Sequence, residues 1–150
     1  MAAGTSKRNK ARFVAENATV LGKKLSIGEG TWIGYYALLD AQAAPLRIGR
    51  WCDISSGVHL YTHSTHLRCT ERGGKVVGAV EIGDHVFVGA NSVVLPGTKI
   101  GHHSVVGALS VVKGDFPPNS LIVGAPAVMK ARLGPRGRQA RPRLASESTT

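Results

Sequence analysis

Residues 82–112 read IGDHVFVGANSVVLPGTKIGHHSVVGALSVV, and through them an aliphatic residue returns every six positions: Ile82, Val88, Val94, Ile100, Val106 and Val112. Glycine follows four of the six, and a small or β-branched residue (Val86, Ser92, Thr98, Ser104, Ser110) stands two positions before the next aliphatic. The same step runs upstream through Ile27, Ile33 and Leu39, again through Ile48, Ile54 and Leu60, and more faintly through Val14 and Val20. At ~100° per residue a helix would walk such positions around its whole surface, and glycine inside a helix costs about 1 kcal/mol each. One short strand and one turn per hexapeptide fits better, with the aliphatic facing inward and the glycine letting the chain bend without a Cβ clash. Three such units close a triangular coil, and stacked coils bury a continuous column of Val and Ile. The expectation is an all-β chain, a parallel β-helix whose strands pair from coil to coil at about 4.8 Å. An antiparallel sandwich would require two-step alternation and hairpin turns such as Asn-Gly, and the sequence has neither.

Composition bounds the rest. With 150 residues, 43% of them hydrophobic, the chain suits one domain with a real core. No apolar run approaches the ~18 residues of a membrane span, and MAAGTSKRNKARF has no apolar stretch of the kind a secretory signal needs. Cys52 and Cys69 fit no zinc spacing and no disulfide framework, which points to reduced thiols in a cytoplasm. The net charge of +10 raises nucleic acid as a partner, but its distribution argues otherwise. Residues 13–129 hold nine basic and eight acidic groups, so the excess lies at the two ends. Residues 1–12 and 133–150 read as basic, poorly ordered termini flanking a β-helix over 13–132. Nucleic acid is therefore not expected as a partner, and the basic ends leave room only for peripheral contact with an anionic membrane or polymer.

IGEGTWIG, IGRWCDISSGV, the 82–112 stretch and the closing VGAPAVMKARL resemble the hexapeptide-repeat acyltransferases over about residues 14–132. The likeness is greatest to the sugar and polysaccharide O-acetyltransferases of the galactoside and maltose type. The resemblance implies a left-handed β-helix, a homotrimer, and acetyl-CoA in the cleft between subunits, with no metal required. Handedness comes from the resemblance alone, because parallel crossovers are in general right-handed.

The six-step stops after Leu60 and resumes at Ile82, 22 residues on where 18 would keep register. The interruption predicts an extruded loop over about 61–80, and loops on rigid scaffolds commonly carry function. In the family a histidine in a similar THS context on such a loop is the catalytic base; His63 in YTHSTH matches it, with His66 as the second candidate. Histidine suits the task, since a base titrating near neutrality can take a proton from an attacking hydroxyl. No G-x-S-x-G elbow and no Cys-His arrangement suggests an acyl-enzyme, so direct transfer is expected. Asp40 in LLDAQ could bind the acceptor, orient the His63 imidazole of a neighbouring subunit, or simply cap a turn. Tyr61 is the other acceptor-side candidate.

On the donor side the resemblance points to Phe87, Ala90, Ala108, Lys113 and Gly114, largely through main-chain groups. Lys130 or Arg132, after VGAPAV, could meet the adenosine 3′-phosphate by charge and hydrogen bonds, or belong simply to a basic tail. DFPPNS reads as the turn that ends the solenoid, because Pro117 and Pro118 cannot donate to a ladder. Other readings are an antibiotic-modifying acetyltransferase, a non-catalytic structural β-helix, and a zinc enzyme of the carbonic anhydrase type drawing on His59, His63, His85, His102 and His103.

Overall fold

The computed structural model describes residues 10–135. Phe13–Val14 (β1), Thr19–Gly22 (β2) and Leu25–Ile27 (β3) make the first coil, and Trp32–Ile33 (β4), Leu38–Ala41 (β5) and Leu46–Ile48 (β6) the second. The third begins with Asp53–Ile54 (β7) and His59–Leu60 (β8). It then departs into a hairpin of His63–Ser64 (β9), a single helical turn at His66–Cys69 (α1) and Val76–Val77 (β10), and closes with Val80–Ile82 (β11). Phe87–Val88 (β12), Val93–Val94 (β13) and Lys99–Ile100 (β14) form the fourth coil, and Val105–Val106 (β15), Val111–Val112 (β16) and Asp115–Phe116 (β17) the fifth. Ser120–Gly124 (β18) opens a sixth, and Ala127–Arg132 (β19) folds back antiparallel on it.

Strands stack in parallel on three faces. Face 1 runs β1-β4-β7-β12-β15-β18, face 2 β2-β5-β8-β13-β16, and face 3 β3-β6-β11-β14-β17. The result is a β-solenoid of about six turns, consistent with the left-handed β-helix. The six-step residues are its core: Ile33, Ile54, Val88, Val106 and Ile122 stack inside face 1, Leu39, Leu60, Val94 and Val112 inside face 2, all at 0% exposure. Burying each contributes about 1.5–3 kcal/mol. The small residues two positions earlier turn inward at the corners, where their hydroxyls bond to carbonyls: Ser92 Oγ donates to Gly107 O at 2.9 Å and Ser110 Oγ to the same oxygen at 2.7 Å. A buried hydroxyl without such a partner would cost about 1–3 kcal/mol.

The glycine after each aliphatic serves close approach. A Cβ at Gly49 would stand 2.5 Å from both Gly83 O and Asp84 Oδ1 on the coil above. The bend itself falls two residues later, at left-handed positions such as Trp51 (φ 55), His85 (φ 55) and His103 (φ 58).

Three sequence expectations need correction. Leu60 and Ile82 lie on adjacent faces of one coil, because Leu60 pairs with the column of Val94, and Ile82 with that of Ile48. Val94 to Ile100 takes six residues where Leu60 to Ile82 takes 22, so the interruption is an insertion of sixteen residues into one corner, with no coil missing. DFPPNS also does not end the solenoid. Asp115 and Phe116 pair with Lys99 and Ile100, Pro117 and Pro118 occupy a corner that needs no donor, and Leu121 continues face 1 above Val105. Lys10 and Arg12, assigned by composition to a loose terminus, donate their backbone N–H groups to Ile27 O and Thr31 O at 3.0 and 2.9 Å. Leu133 likewise donates to Asn119 O at 2.7 Å. The remainder of both terminal expectations lies outside the described residues.

Candidate active site

Between face 3 and face 1, and between face 1 and face 2, successive core aliphatics are always six residues apart. At the remaining corner, from face 2 to face 3, the spacing varies: seven from Val20 to Ile27, nine from Leu39 to Ile48, 22 from Leu60 to Ile82, six from Val94 to Ile100 and four from Val112 to Phe116. Irregularity confined to one edge of a periodic scaffold marks where the fold carries something other than its own stability.

Asp40 is the third of the four residues of β5, next to the inward-facing Leu39 at the start of the nine-residue step, and is 1% exposed. Its Oδ1 accepts the Gln42 N–H at 3.1 Å, which fixes the turn. Leu39 pairs with Leu60, so Tyr61 stands one coil above Asp40 and the insertion begins directly over the carboxylate. The β9–β10 hairpin, with His63 opposite Val77, then carries the imidazole back down: His63 Nδ1 lies 2.6 Å from Asp40 Oδ2 of the same chain. The two atoms are in contact at this distance, and neither makes a hydrogen bond of ordinary geometry. The His63 side chain remains 29% exposed. Of the three roles the sequence left open for Asp40, the turn cap is present in the bond from Gln42, and the His63 contact is made within one chain, not to a neighbouring subunit.

Thr62, next to His63 in sequence, is fully buried, and its Oγ1, like Asp40 Oδ2 and His63 Nδ1, is left without a formed hydrogen bond. Sequence reasoning passed over it, and its place immediately before His63 was the available signal. Tyr61 turns aside: its hydroxyl is 3.2 Å from His59 Nδ1, the rings edge to face at 5.9 Å. His66 opens α1 on the exposed side of the insertion, its Nδ1 2.7 Å from Ser64 Oγ, with no carboxylate behind it.

The donor-side candidates divide between two edges. Phe87 points outward from face 1 at 42% exposure, and Ala90 and Ala108 lie on successive coils at the corner of faces 1 and 2. The Ala90 carbonyl already accepts the Leu109 N–H at 3.0 Å. Lys113 and Gly114 sit on the His63 corner two coils above the insertion, and the Gly114 carbonyl accepts the Lys99 N–H at 2.9 Å. Within one chain the whole width of face 2 separates these sets. Lys130 and Arg132 are exposed on β19.

The other histidines are dispersed. His85 and His103 stack at 4.8 Å on the corner of faces 3 and 1, and His102 Nδ1 accepts the Asp84 N–H at 2.7 Å. Among the described residues no group of three His, Cys, Asp or Glu is placed to hold a metal ion. Near this corner the Arg50 backbone N–H, 2.8 Å away, and then its guanidinium hold the Asp84 carboxyl below the ordinary range. Burial pushes the Cys52 thiol up.

A family model described as bacterial transferase hexapeptide (six repeats) matches residues 79–114. A hexapeptide-repeat-containing acetyltransferase from Vibrio cholerae is 32% identical, with a TM-score of 0.69 over 79% of this chain and 72% of that one. The chain belongs to the hexapeptide-repeat transferases. A second structure of the Vibrio protein, aligned with a TM-score of 0.74, is complexed with acetyl coenzyme A. A maltose O-acetyltransferase from Clostridium difficile is 28% identical, with a TM-score of 0.72 over 83% of this chain and 69% of that one. Among curated relatives, nodulation protein L of Rhizobium meliloti is 35% identical over 108 residues, 71% of this chain. The chain spans 58% of that relative's length. No helix among the described residues of this hexapeptide transferase is long and apolar enough to cross a membrane.

Proposed function

We propose that the chain is an acetyl-CoA-dependent O-acetyltransferase acting on a hydroxyl of a sugar or polysaccharide precursor, with His63 as general base. The observation that carries this reading is the His63 imidazole seated on the buried Asp40 carboxylate inside the one long insertion of an otherwise regular solenoid. Asp40 engages Nδ1, which leaves Nε2 as the basic nitrogen facing outward. Nε2 takes the proton of the acceptor hydroxyl as its oxygen attacks the thioester carbonyl. The tetrahedral oxyanion collapses and the CoA thiolate departs, with the imidazolium as its proton source. Loss of solvent freedom at Asp40 keeps the ring in one orientation for both transfers. Asp40, buried behind the ring, acts here as a positioning residue, and Tyr61 forms the wall above it.

Acetyl-CoA would lie against Phe87, Ala90 and Ala108 of one subunit, with the Lys113 corner and His63 supplied by the next. The separation of these sets by face 2 supports a homotrimer with sites between subunits, since one chain alone holds half of each site. A cytoplasmic location goes with this donor. The test is CoA release from acetyl-CoA over a panel of sugars, sugar precursors, antibiotics and serine, with intact-protein mass recorded at each time point. Acceptor-dependent release without an acetylated enzyme species supports direct transfer to a hydroxyl. A covalent acetyl-enzyme in the mass record, or release with no acceptor in the panel, goes against it.

A further inference from the structure

By composition the body of this chain is close to neutral, but the fold polarises it. The corner of faces 2 and 3, with its insertion, carries Lys23, Lys24, Arg68, Arg72, Lys75 and Lys113 against Asp40 and Glu71, a net charge of +4. The rest of residues 13–129 carries Arg47, Arg50 and Lys99 against six acidic groups, a net of −3. Elsewhere two of the three cations are neutralised locally, Arg47 on Glu81 at 3.0 Å and Arg50 on Asp84 at 3.3 Å. None of the six cations of the His63 corner is in an ion pair among the described residues.

We infer that this corner is built to receive an acceptor that bears an anionic group, a phosphate or a carboxylate, close to the hydroxyl it presents to His63. The inference rests on the acetyl-transfer reading above and deepens it. The donor-side residues Phe87, Ala90, Ala108 and Lys113 lie on the fourth and fifth coils, above the insertion. An acceptor must then reach His63 from the first three coils, where the charged groups of this corner are Lys23, Lys24, Arg68, Arg72, Lys75 and the single acid Glu71, besides Asp40 behind the ring. Lys24 is fixed there: its Nζ donates to Ala43 O at 3.1 Å, three residues past Asp40, one coil below the imidazole. One coil is about 4.8 Å, so an anion on the same sugar as the reacting hydroxyl, or on its neighbour, comes within reach of these cations. Unpaired like charges beside one another repel, and a corner that retains them offers an anion both attraction and relief of that repulsion. Lys113, far above on the same corner, remains for the donor's own phosphates.

The experiment compares matched acceptors with the full chain at fixed acetyl-CoA: glucose, glucose 1-phosphate, UDP-glucose and glucuronate, and the corresponding N-acetylglucosamine set. The phosphate and carboxylate arms separate the two sources of the anion. The expected result is a kcat/KM at least about tenfold higher for the anionic member of a set, falling several-fold between low and high salt. Lys23→Gln with Lys24→Gln, and separately Arg68→Gln with Arg72→Gln, should erase most of that advantage. The KM for acetyl-CoA and the neutral-acceptor rate should stay within about twofold. Equal rates for neutral and anionic members overturn the inference, and so does a loss that falls on acetyl-CoA, because the cations then serve the donor. Calorimetric binding of the same acceptors to CoA-loaded protein decides the matter without turnover: no tighter binding of any anionic member also overturns it. Turnover with neutral acceptors alone would refute the anionic acceptor while leaving acetyl transfer standing.

Discussion

Asp40→Asn is the most informative single change at the site. The carboxylate is 1% exposed, and asparagine matches it in size, so the core around Leu39 and Ala41 is undisturbed. The one ordinary hydrogen bond of the side chain, from Gln42 N–H to Oδ1 at 3.1 Å, can be kept by the amide oxygen. What is lost is the charge 2.6 Å from His63 Nδ1. Where the reacting complex draws this contact into a hydrogen bond to the charged carboxylate, that bond is worth about 1.5–3 kcal/mol, and at about 1.4 kcal/mol per tenfold its loss predicts a fall in kcat of roughly 10- to 150-fold. The effect should lie in kcat, with the KM for acetyl-CoA unchanged within about twofold, because no donor-side residue touches Asp40. Asp40→Ala should match the loss in kcat and also lower Tm, since it removes the bond that holds the turn. Initial rates of CoA release, with Tm for both variants, read these outcomes. The reasoning is refuted if Asp40→Asn keeps half of the wild-type kcat, or if its whole effect falls on the KM for acetyl-CoA.

Other outcomes follow from the scaffold. Ile54→Ala removes a side chain at 0% exposure from the face 1 column and should cost about 2–5 kcal/mol in denaturant unfolding without changing the KM for acetyl-CoA. Gly49→Val should lower stability more than a surface change, because its Cβ would meet Gly83 O and Asp84 Oδ1 at 2.5 Å and wedge two coils apart; thermal unfolding checks this. Exposed Cys69 should react at once with a thiol reagent near pH 8, whereas Cys52, 3% exposed and with its thiol pushed up by burial, should react only after unfolding. Counting labelled thiols with and without denaturant tests it. The carboxyl of Asp84 is held low, so its stabilisation is present above the unfolded value near 3.9 and is lost as pH falls through the folded value. The stability gap between wild type and Asp84→Asn should therefore shrink on acidification from about pH 5 toward pH 2.

The core was legible because each aliphatic faces the same packing demand once per face. Ile82, Val88 and Val94 repeat for a geometric reason, and chain chemistry alone suffices to read it. The insertion was legible as a break, but not its size, because counting 18 assumed that a break skips a whole coil. The spacings at the other two corners, all six, would have located the variable corner and shown that Asp40 and Tyr61 are stacked there. The partner of His63 was harder. It depends on an antiparallel hairpin that returns the chain over β5, and nothing in YTHSTH or KVVGA states that return. Pro117 and Pro118 misled for a simpler reason: at a corner the ladder asks for no N–H, so proline fits where a strand would reject it. Charge polarisation was invisible to composition, since Lys23 and Arg72 are far apart in sequence and share one corner only through the stacking of coils.

Direct transfer by this site turns on one side chain, and the direct measurement is the rate of acceptor-dependent CoA release by His63→Ala at saturating acetyl-CoA, beside His66→Ala and wild type, with CoA affinity measured calorimetrically on each. The expected result is a loss of about 10²–10⁴ in kcat for His63→Ala, CoA affinity within about twofold of wild type, and His66→Ala close to wild type. A His63→Ala protein that binds CoA normally and turns over at the wild-type rate would contradict it.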